Sequence, residues 1–210
     1  MASIIPLMLN NLSEMLEDRN DFSADTLKNI KTDDFYGYDP VIVYAPKTCV
    51  IIALNQESKK NVIDKLKTTK KKTNKTDDEE IDVFKEFVLE HKKYTNYIIV
   101  FEELTTADNK LLVTFDKTLN KIDGLLSVFM FSDLHFNPTR HHLVDKHTKL
   151  TKDEIKDLMT LYNIKSKTQL PIILKGDPIS KWLGIRPGDI VKIDRYNPNS
   201  GLTYYYRACV

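Results

Sequence analysis

The C-terminal third of the chain contains a dense series of helix caps and turn residues, which constrains the fold more than any other feature. In TKDEIKDLMTLY, Thr151 and Glu154 have the spacing of a capping box and predict the start of a helix. In GDPISKWLG, Asp177 can accept the first amide hydrogens, Pro178 suits the first helical position, and Gly184 can end the helix. The sequence therefore predicts two short helices with defined ends.

Two strands are predicted after these helices. RPGD places Pro187 and Gly188 where a type II turn needs them, just before the segment DIVKIDR. NPNSG then reads as a loop, and LTYYYRACV as the second strand. A lone hairpin is marginally stable in water, so Val191, Ile193 and the tyrosines at 204–206 need cover from the helices or from another chain. Residues 141–210 are thus expected to form a small α+β domain.

The first 140 residues have a different pattern, in which strand-like and helix-like segments alternate. An amphipathic helix is predicted at residues 4–19, and further helices at DFSADTLKNI (21–30) and EIDVFKEFVLEHKK (80–93). Runs rich in β-branched and aromatic residues predict five strands. These runs are VIVYA (41–45), CVIIAL (49–54), YIIVF (97–101), LLVTF (111–115) and LLSVFMF (125–131). We therefore expect an α/β domain, with helices on a mixed sheet, over residues 1–140.

The composition excludes several classes of protein. The apolar runs are far shorter than the roughly 20 residues that span a bilayer, so no membrane partner is expected. Cys49 and Cys209 are too few and too far apart in the sequence for a disulfide framework, and the N-terminus lacks the pattern of a secretory signal. A reducing compartment, cytosol or nucleus, is the expectation.

Charge is distributed unevenly along the chain. Residues 141–210 have 12 Lys and Arg against 7 Asp and Glu, which leaves 19 against 23 in the preceding region. A basic surplus of this size suits nucleic acid, an acidic protein, or an ordinary solvated surface. Eight lysines lie between positions 59 and 75 and are followed by an acidic run, which favours a solvated loop over a nucleic-acid contact.

The residues that could perform chemistry do not form a recognisable catalytic set. His141, His142 and His147 have neither a nearby cysteine nor the spacing of a zinc site, so no bound metal is expected. Glu102 and Glu103 end a predicted strand but lack the D/E-x-K element of a metal-dependent nuclease. No Walker loop, GxGxxG or G-x-S-x-G occurs. We therefore expect no catalytic residue, no cofactor and no small-molecule substrate.

The ordered string of motifs after residue 140 resembles a known family. HHLVDKH, the capped helix, QLPIILKGDPISKWLGIRPGDIVKIDR and SGLTYYYRACV are similar to the C-terminal module of the fifth-largest subunit shared by eukaryotic nuclear RNA polymerases, and to the archaeal counterpart of that protein. The similarity covers residues 141–210 almost without gaps. Over residues 1–140 it is limited to the first helix, with the EDRNDF that follows it, and to YIIVFEELTTADNKLLVTF.

The resemblance implies a non-catalytic polymerase subunit with two roles. Residues 141–210 would be an assembly domain that docks on the largest polymerase subunit, alongside other polymerase subunits. Residues 1–140 would form part of the lower jaw near downstream DNA, with Thr106 and Lys110 as candidate DNA contacts in a loop at the tip. The candidate interface residues are Asp177, Pro178, Trp182, Lys192, Arg195, Tyr206 and Arg207.

This chain departs from the family pattern at several positions. Thr106-Ala107-Asp108-Asn109 stands where Thr-Pro-Ser-Ala is frequent, and Asp108 would repel a DNA phosphate that Lys110 could attract. Asp145 replaces the proline of the H-x-L-V-P-K-H opening. Such departures suit a divergent member, such as one from a large DNA virus with its own polymerase. The expected location is the nucleus for a cellular eukaryotic protein, and the host cytoplasm or virion for a viral one.

Two alternative functions remain open at the level of sequence. A stand-alone metal-dependent nuclease would need clustered carboxylates and a lysine on the N-terminal sheet. A free adaptor would use the basic C-terminal domain to bind acidic proteins, and it would purify apart from any polymerase.

Overall fold

The computed structural model describes residues 4–21, 27, 30–66, 70–71, 81–82 and 94–210, and the chain divides into two compact units, Met1–Phe136 and Asn137–Val210. The N-terminal unit contains, in chain order, α1 (Ile5–Asp18), a 3-10 turn (Thr32–Tyr36), β1 (Val41–Tyr44), β2 (Thr48–Ala53), α2 (Gln56–Leu66), β3 (Lys70–Lys71), β4 (Ile81–Asp82), β5 (Asn96–Phe101), α3 (Thr106–Asn120), β6 (Leu125–Met130) and a 3-10 turn (Phe131–Leu134).

The C-terminal unit follows after Phe136. It contains a 3-10 turn (Pro138–Arg140), β7 (Lys146–Lys149), α4 (Lys152–Leu161), a 3-10 turn (Lys167–Gln169), β8 (Ile172–Ile173), α5 (Pro178–Leu183), β9 (Ile190–Asn197) and β10 (Gly201–Cys209). The expected fold classes are confirmed: a mixed sheet with helices in the first unit, and a small α+β arrangement in the second.

The main sheet of the N-terminal unit has the strand order β1-β2-β5-β6. β1 runs antiparallel to β2, whereas β2, β5 and β6 are mutually parallel. β2 is buried along its whole length and β5 after its first residue, as expected for parallel strands covered on both faces. Ile51, Ile99 and Phe101 form a core cluster with Val62 of α2 and Phe115 of α3. The predicted first helix and four of the five predicted strands are confirmed.

The strand predicted at residues 111–115 is wrong, because LLVTF lies inside α3. Thr105 caps this helix: its side chain accepts a hydrogen bond from the Asp108 amide at 3.2 Å, and the Asp108 carboxylate accepts one from the Thr105 amide at 3.0 Å. Leu112 and Phe115 are buried at helical spacing, whereas Val113 is exposed. The expected loop from Thr106 to Lys110 is consequently the first turn of a helix.

Two other expectations concern the middle of the chain. The loop interpretation of residues 59–75 is wrong for residues 59–66, which lie in α2, and 67–69 and 72–75 lie outside the described residues. The helix predicted at 80–93 is wrong for Ile81–Asp82, which form strand β4. Residues 80 and 83–93 lie outside the described part of the chain. The same holds for most of the helix predicted at 21–30.

The C-terminal sheet has the order β7-β9-β10-β8, with β9 and β10 forming the predicted hairpin. Both predicted helices and their caps are confirmed. Thr151 accepts a hydrogen bond from the Glu154 amide, and Asp177 accepts one from the Ile179 amide at 2.9 Å. Gly184 ends α5 with φ of 64°, in the left-handed region that favours glycine.

The hairpin has two faces, because residues directly opposite each other on paired strands point to the same side. The first face contains Val191, Ile193 and Arg195 of β9 opposite Arg207, Tyr205 and Thr203 of β10, and the second face contains Ile190, Lys192 and Asp194 opposite Ala208, Tyr206 and Tyr204. At the first face, Val191 packs with Ile173, Ile185 and Cys209. At the second face, Ile190 packs with Leu150 and Leu158. Helices therefore cover only the base of the hairpin.

In the part of the chain that the structure describes, no helix has the length and apolar character needed to cross a bilayer.

Candidate subunit interface

The first face of the hairpin carries two arginines around one aromatic ring. The Cζ atoms of Arg195 and Arg207 lie 4.7 Å and 5.7 Å from the centroid of the Tyr205 ring. Both distances are within the range of a cation–π interaction. Arg195 also lies with its Nε 3.3 Å from Oδ2 of Asp145, the residue that departs from the family pattern. The stack runs from Arg207, opposite the buried Val191, to Arg195 near the exposed end of β9.

Arg207 differs from Arg195 in its hydrogen bonding. The Nε atom of Arg207 is buried and has no hydrogen-bond partner among the described residues. Buried polar groups of native proteins are almost always paired, and an unpaired charged donor is especially costly. Arg207 is half-buried as a whole, whereas Arg195 is exposed, so Arg195 is the more accessible of the two arginines.

On the second face, Lys192 is engaged within the hairpin. Its Nζ lies 3.3 Å from Asp194 Oδ1 and 4.1 Å from the centroid of the Tyr204 ring. Burial lowers the pKa of Lys192, but Asp194 together with Tyr204 and Tyr206 outweighs that effect and raises it. The ring of Tyr206 lies 6.0 Å from that of Tyr162, and burial together with this second phenol raises the pKa of Tyr206.

The remaining candidate interface residues belong to α5. Asp177 caps the helix and Pro178 occupies its first position. Trp182 is only 1% exposed, so its side chain is buried in the folded chain. The structure thus places the predicted residues in three groups: Asp177, Pro178 and Trp182 on α5, Lys192 and Tyr206 on the second face, and Arg195 and Arg207 on the first.

The histidines of HHLVDKH make local hydrogen bonds. Nδ1 of His141 accepts from the Leu143 amide at 3.3 Å, and Nδ1–H of His147 donates to the Asp145 carbonyl at 2.6 Å. Within the described residues, no group of three or more His, Cys, Asp or Glu side chains is arranged to hold a metal ion. These contacts agree with packing and hydrogen-bonding roles.

The candidate DNA contacts lie in the N-terminal unit, at the start of α3. Thr106 and Lys110 are exposed there. Between them, Asp108 forms an ion pair with Lys59 of α2 at 2.7 Å. Burial opposes ionisation of Asp108, but hydrogen bonds from Lys59 and Thr105 outweigh it and lower its pKa to about 2. The charge of Asp108 is therefore compensated inside the unit.

Sequence reasoning missed three residues of these sites: Lys59, Asp145 and Tyr205. Lys59 was hidden in a lysine-rich run that resembles a loop. Tyr205 could have been found from the two-residue period of a strand, which puts it on the same face as Arg207. The contact of Asp145 with Arg195 had no local signal, since 50 positions separate them.

Comparison with known proteins identifies the C-terminal unit. Residues 136–209 match the family model described as RNA polymerase Rpb5, C-terminal domain. The chain is 45% identical over 75 residues to the DNA-directed RNA polymerase subunit Rpo5 of Pyrococcus horikoshii, a match that covers 36% of this chain and 90% of that protein. The Rpo5 of Pyrococcus abyssi matches with the same identity and coverage.

A eukaryotic relative matches over a longer stretch. The chain is 37% identical over 113 residues to the Dictyostelium discoideum protein named DNA-directed RNA polymerases I, II, and III subunit rpabc1. This match covers 54% of the chain and 55% of the relative, so the chain spans about half the length of that protein. Because nearly the whole length of the archaeal protein is matched, the chain belongs to the Rpb5 and Rpo5 family of subunits of multisubunit DNA-directed RNA polymerases.

Proposed function

We propose that this protein is a non-catalytic accessory subunit of a multisubunit DNA-directed RNA polymerase, and that its C-terminal unit docks on the largest subunit. The observation that carries the proposal is the family match over residues 136–209, which spans β7, α4, α5 and the hairpin. The docking role rests on surface chemistry, because the family match by itself names no contact.

The first face of the hairpin is the docking surface that we favour. Arginine and tyrosine are enriched among residues that dominate binding energy, and here Arg195, Tyr205 and Arg207 form one stack. The exposed guanidinium of Arg195 could bind a carboxylate or backbone carbonyl of the largest subunit, and Arg207 would add positive charge beside it.

The N-terminal unit is proposed to form part of the lower jaw near downstream DNA. Lys110 is exposed on the first turn of α3, and the neighbouring carboxylate of Asp108 is neutralised by Lys59. A phosphate near Lys110 would therefore meet less repulsion than the sequence indicates. The protein would work where its polymerase transcribes: the nucleus in a eukaryotic cell, or the host cytoplasm or virion for a virus with its own polymerase.

Affinity purification of the tagged full-length chain tests the docking role. We expect the largest polymerase subunit in fixed ratio with the tagged protein. Changing both Arg195 and Arg207 to alanine should cost roughly 2 to 5 kcal/mol of docking free energy for each arginine that binds a partner group, and should deplete that subunit from the purified sample. Lys165→Ala is the matched control, because it removes an exposed positive charge of the same unit away from the hairpin.

Circular dichroism and amide NMR of the double variant must accompany this test, because the arginines also stack on Tyr205. A folded double variant that still enters the polymerase at the normal ratio would refute docking through this face. Recovery of the wild-type chain with acidic proteins and no large polymerase subunit would favour the free adaptor instead.

A further inference from the structure

A groove on the second face of the hairpin is not used by the docking surface described above. It has a volume of about 570 Å³ and lies between α4 and the hairpin strands β9 and β10. Its lining combines large apolar or aromatic side chains with two carboxylates: Leu150, Leu158, Leu161 and Tyr206, and Glu154 and Asp157.

The apolar surface at this groove is unusually open. Leu161 is 77% exposed at the end of α4, and the adjoining Tyr162 and Tyr204 are 57% and 51% exposed. Leu158, one turn earlier, is buried against Leu150 and Ile190. Clustered exposure of large apolar side chains beside a concave surface is typical of a binding site.

The charges that line the groove favour a basic occupant. Lys192 lines it too, but Asp194 and the Tyr204 ring already engage that amine. Glu154 accepts hydrogen bonds from the amide and hydroxyl of Thr151 through one carboxylate oxygen, Oε2. Asp157 has no hydrogen bond or ion pair with any described residue. A positively charged group would pair with Asp157, whereas an acidic segment would be repelled.

We propose that this groove binds a segment of another polymerase subunit that places a large apolar side chain against Leu161 and Tyr206 and an adjacent lysine or arginine beside Asp157. This inference rests on the proposed function, since it assumes assembly into a polymerase. The groove would be a second contact surface, on the other side of the hairpin from the face that carries the two arginines. The arginines of the first face favour a negatively charged or carbonyl group, whereas the carboxylates of the groove favour a cation.

Site-specific photo-cross-linking in the assembled polymerase tests the inference. A benzophenone amino acid replaces Leu161 in the tagged full-length chain, and cross-linked peptides are identified by mass spectrometry after purification and illumination. The matched control carries the same group at Lys156, whose side chain is 77% exposed on the same helix but does not line the groove. We expect Leu161, and not Lys156, to cross-link to an apolar segment containing lysine or arginine in another subunit.

Charge reversal provides the second arm. Asp157→Lys should reduce the yield of that cross-link about three- to tenfold, because attraction becomes repulsion. Asp153→Lys makes the same charge change at a site that is 89% exposed and outside the groove, and it should leave the yield unchanged.

The outcomes separate the inference from the proposed function. Suppose that polymerase subunits co-purify, but that the group at position 161 forms no cross-link, or cross-links to an acidic segment or to a second copy of this chain. The inference is then overturned and the proposed function stands. An equal loss of yield in Asp157→Lys and Asp153→Lys overturns the basic character of the occupant. If no polymerase subunit co-purifies, the proposed function fails and the inference falls with it.

Discussion

The two units bury their sheets to different extents. In the N-terminal unit, β2 and nearly all of β5 are buried along their length between covering elements. In the C-terminal unit only the base of the hairpin is buried, and Tyr196, Leu202 and Tyr204 are exposed toward its tip. A parallel sheet depends on helices for cover, whereas a hairpin can be anchored at one end and remain open at the other. The open end is then available to a partner.

One charged residue of each unit illustrates a second difference, in how the charge is satisfied. In the N-terminal unit, the carboxylate of Asp108 accepts hydrogen bonds from Thr105 and from the cation Lys59. In the C-terminal unit, the buried Nε of Arg207 has no hydrogen-bond partner among the described residues. The charge of Asp108 is thus compensated within its own unit, whereas Arg207 keeps one unsatisfied donor. Substitutions at three residues can break or sharpen this contrast.

The largest effect is expected from Trp182→Ala. This removes a side chain that is 1% exposed and should cost about 3 to 5 kcal/mol. A domain of roughly 70 residues rarely has more than that in reserve, so the C-terminal unit should unfold while the N-terminal unit persists. Hydrogen exchange followed by mass spectrometry reports each unit separately.

The control for Trp182→Ala is Tyr196→Ala, which truncates an aromatic side chain that is 73% exposed in the same unit. It should change stability by less than about 0.5 kcal/mol. If Trp182→Ala stays folded but loses the polymerase, the tryptophan is an interface residue and the contrast between core and docking surface is wrong at this position.

An intermediate effect is expected from Asp108→Ala in the N-terminal unit. It removes both the carboxylate of the capping box and the ion pair with Lys59, at a cost of about 1 to 2 kcal/mol. Urea unfolding of the full chain would measure this. Asp153→Ala is a suitable control, because its carboxylate is 89% exposed on α4. Equal losses in both variants would contradict a special role for Asp108.

The same carboxylate predicts an acid dependence. Its pKa is about 2 in the folded chain, below the ordinary value of 3.8, so it stabilises the fold fully above the ordinary value. That contribution is lost as pH falls from about 4 through about 2, because Asp108 becomes protonated and loses its favourable interactions with Lys59 and Thr105. Asp108→Asn should lack this part of the pH dependence, so the stability difference between wild type and variant should shrink as pH falls toward about 2. Urea unfolding at several pH values can check this.

The elements with local signals were the ones that sequence reasoning could predict. Thr151, Asp177 and Gly184 fix helix ends through bonds that span a few residues, and each behaves as expected. The error at residues 111–115 arose because a five-residue apolar run has no period that separates a strand from a buried helix. The deciding signal, the pairing of Thr105 with Asp108, lies just upstream of that run.

The candidate site was predictable only in part, for a related reason. Strand alternation assigns Arg195 and Arg207 to one face and Lys192 and Tyr206 to the other. Which parts of those faces remain open depends on which elements pack against the hairpin, and the burial of Trp182 likewise depends on the tertiary fold. Such contacts join residues distant in sequence, so no local pattern indicates them.

The smallest effect is expected from Lys110→Ala, which tests the jaw role of the N-terminal unit. Lys110 is exposed on α3, so its loss should leave stability within about 0.5 kcal/mol of the wild type and leave assembly intact. If Lys110 contacts one phosphate of downstream DNA, the logarithmic salt dependence of DNA affinity should become shallower by about 0.9. Affinities of the purified polymerase for duplex DNA over a salt series measure that slope.

Lys117→Ala is the matched control, because it removes an exposed lysine near the other end of the same helix. An unchanged slope in Lys110→Ala, or equal changes in both variants, would mean that the first turn of α3 makes no specific phosphate contact. Exclusion of Lys110→Ala from the polymerase would reverse the division of roles between the two units.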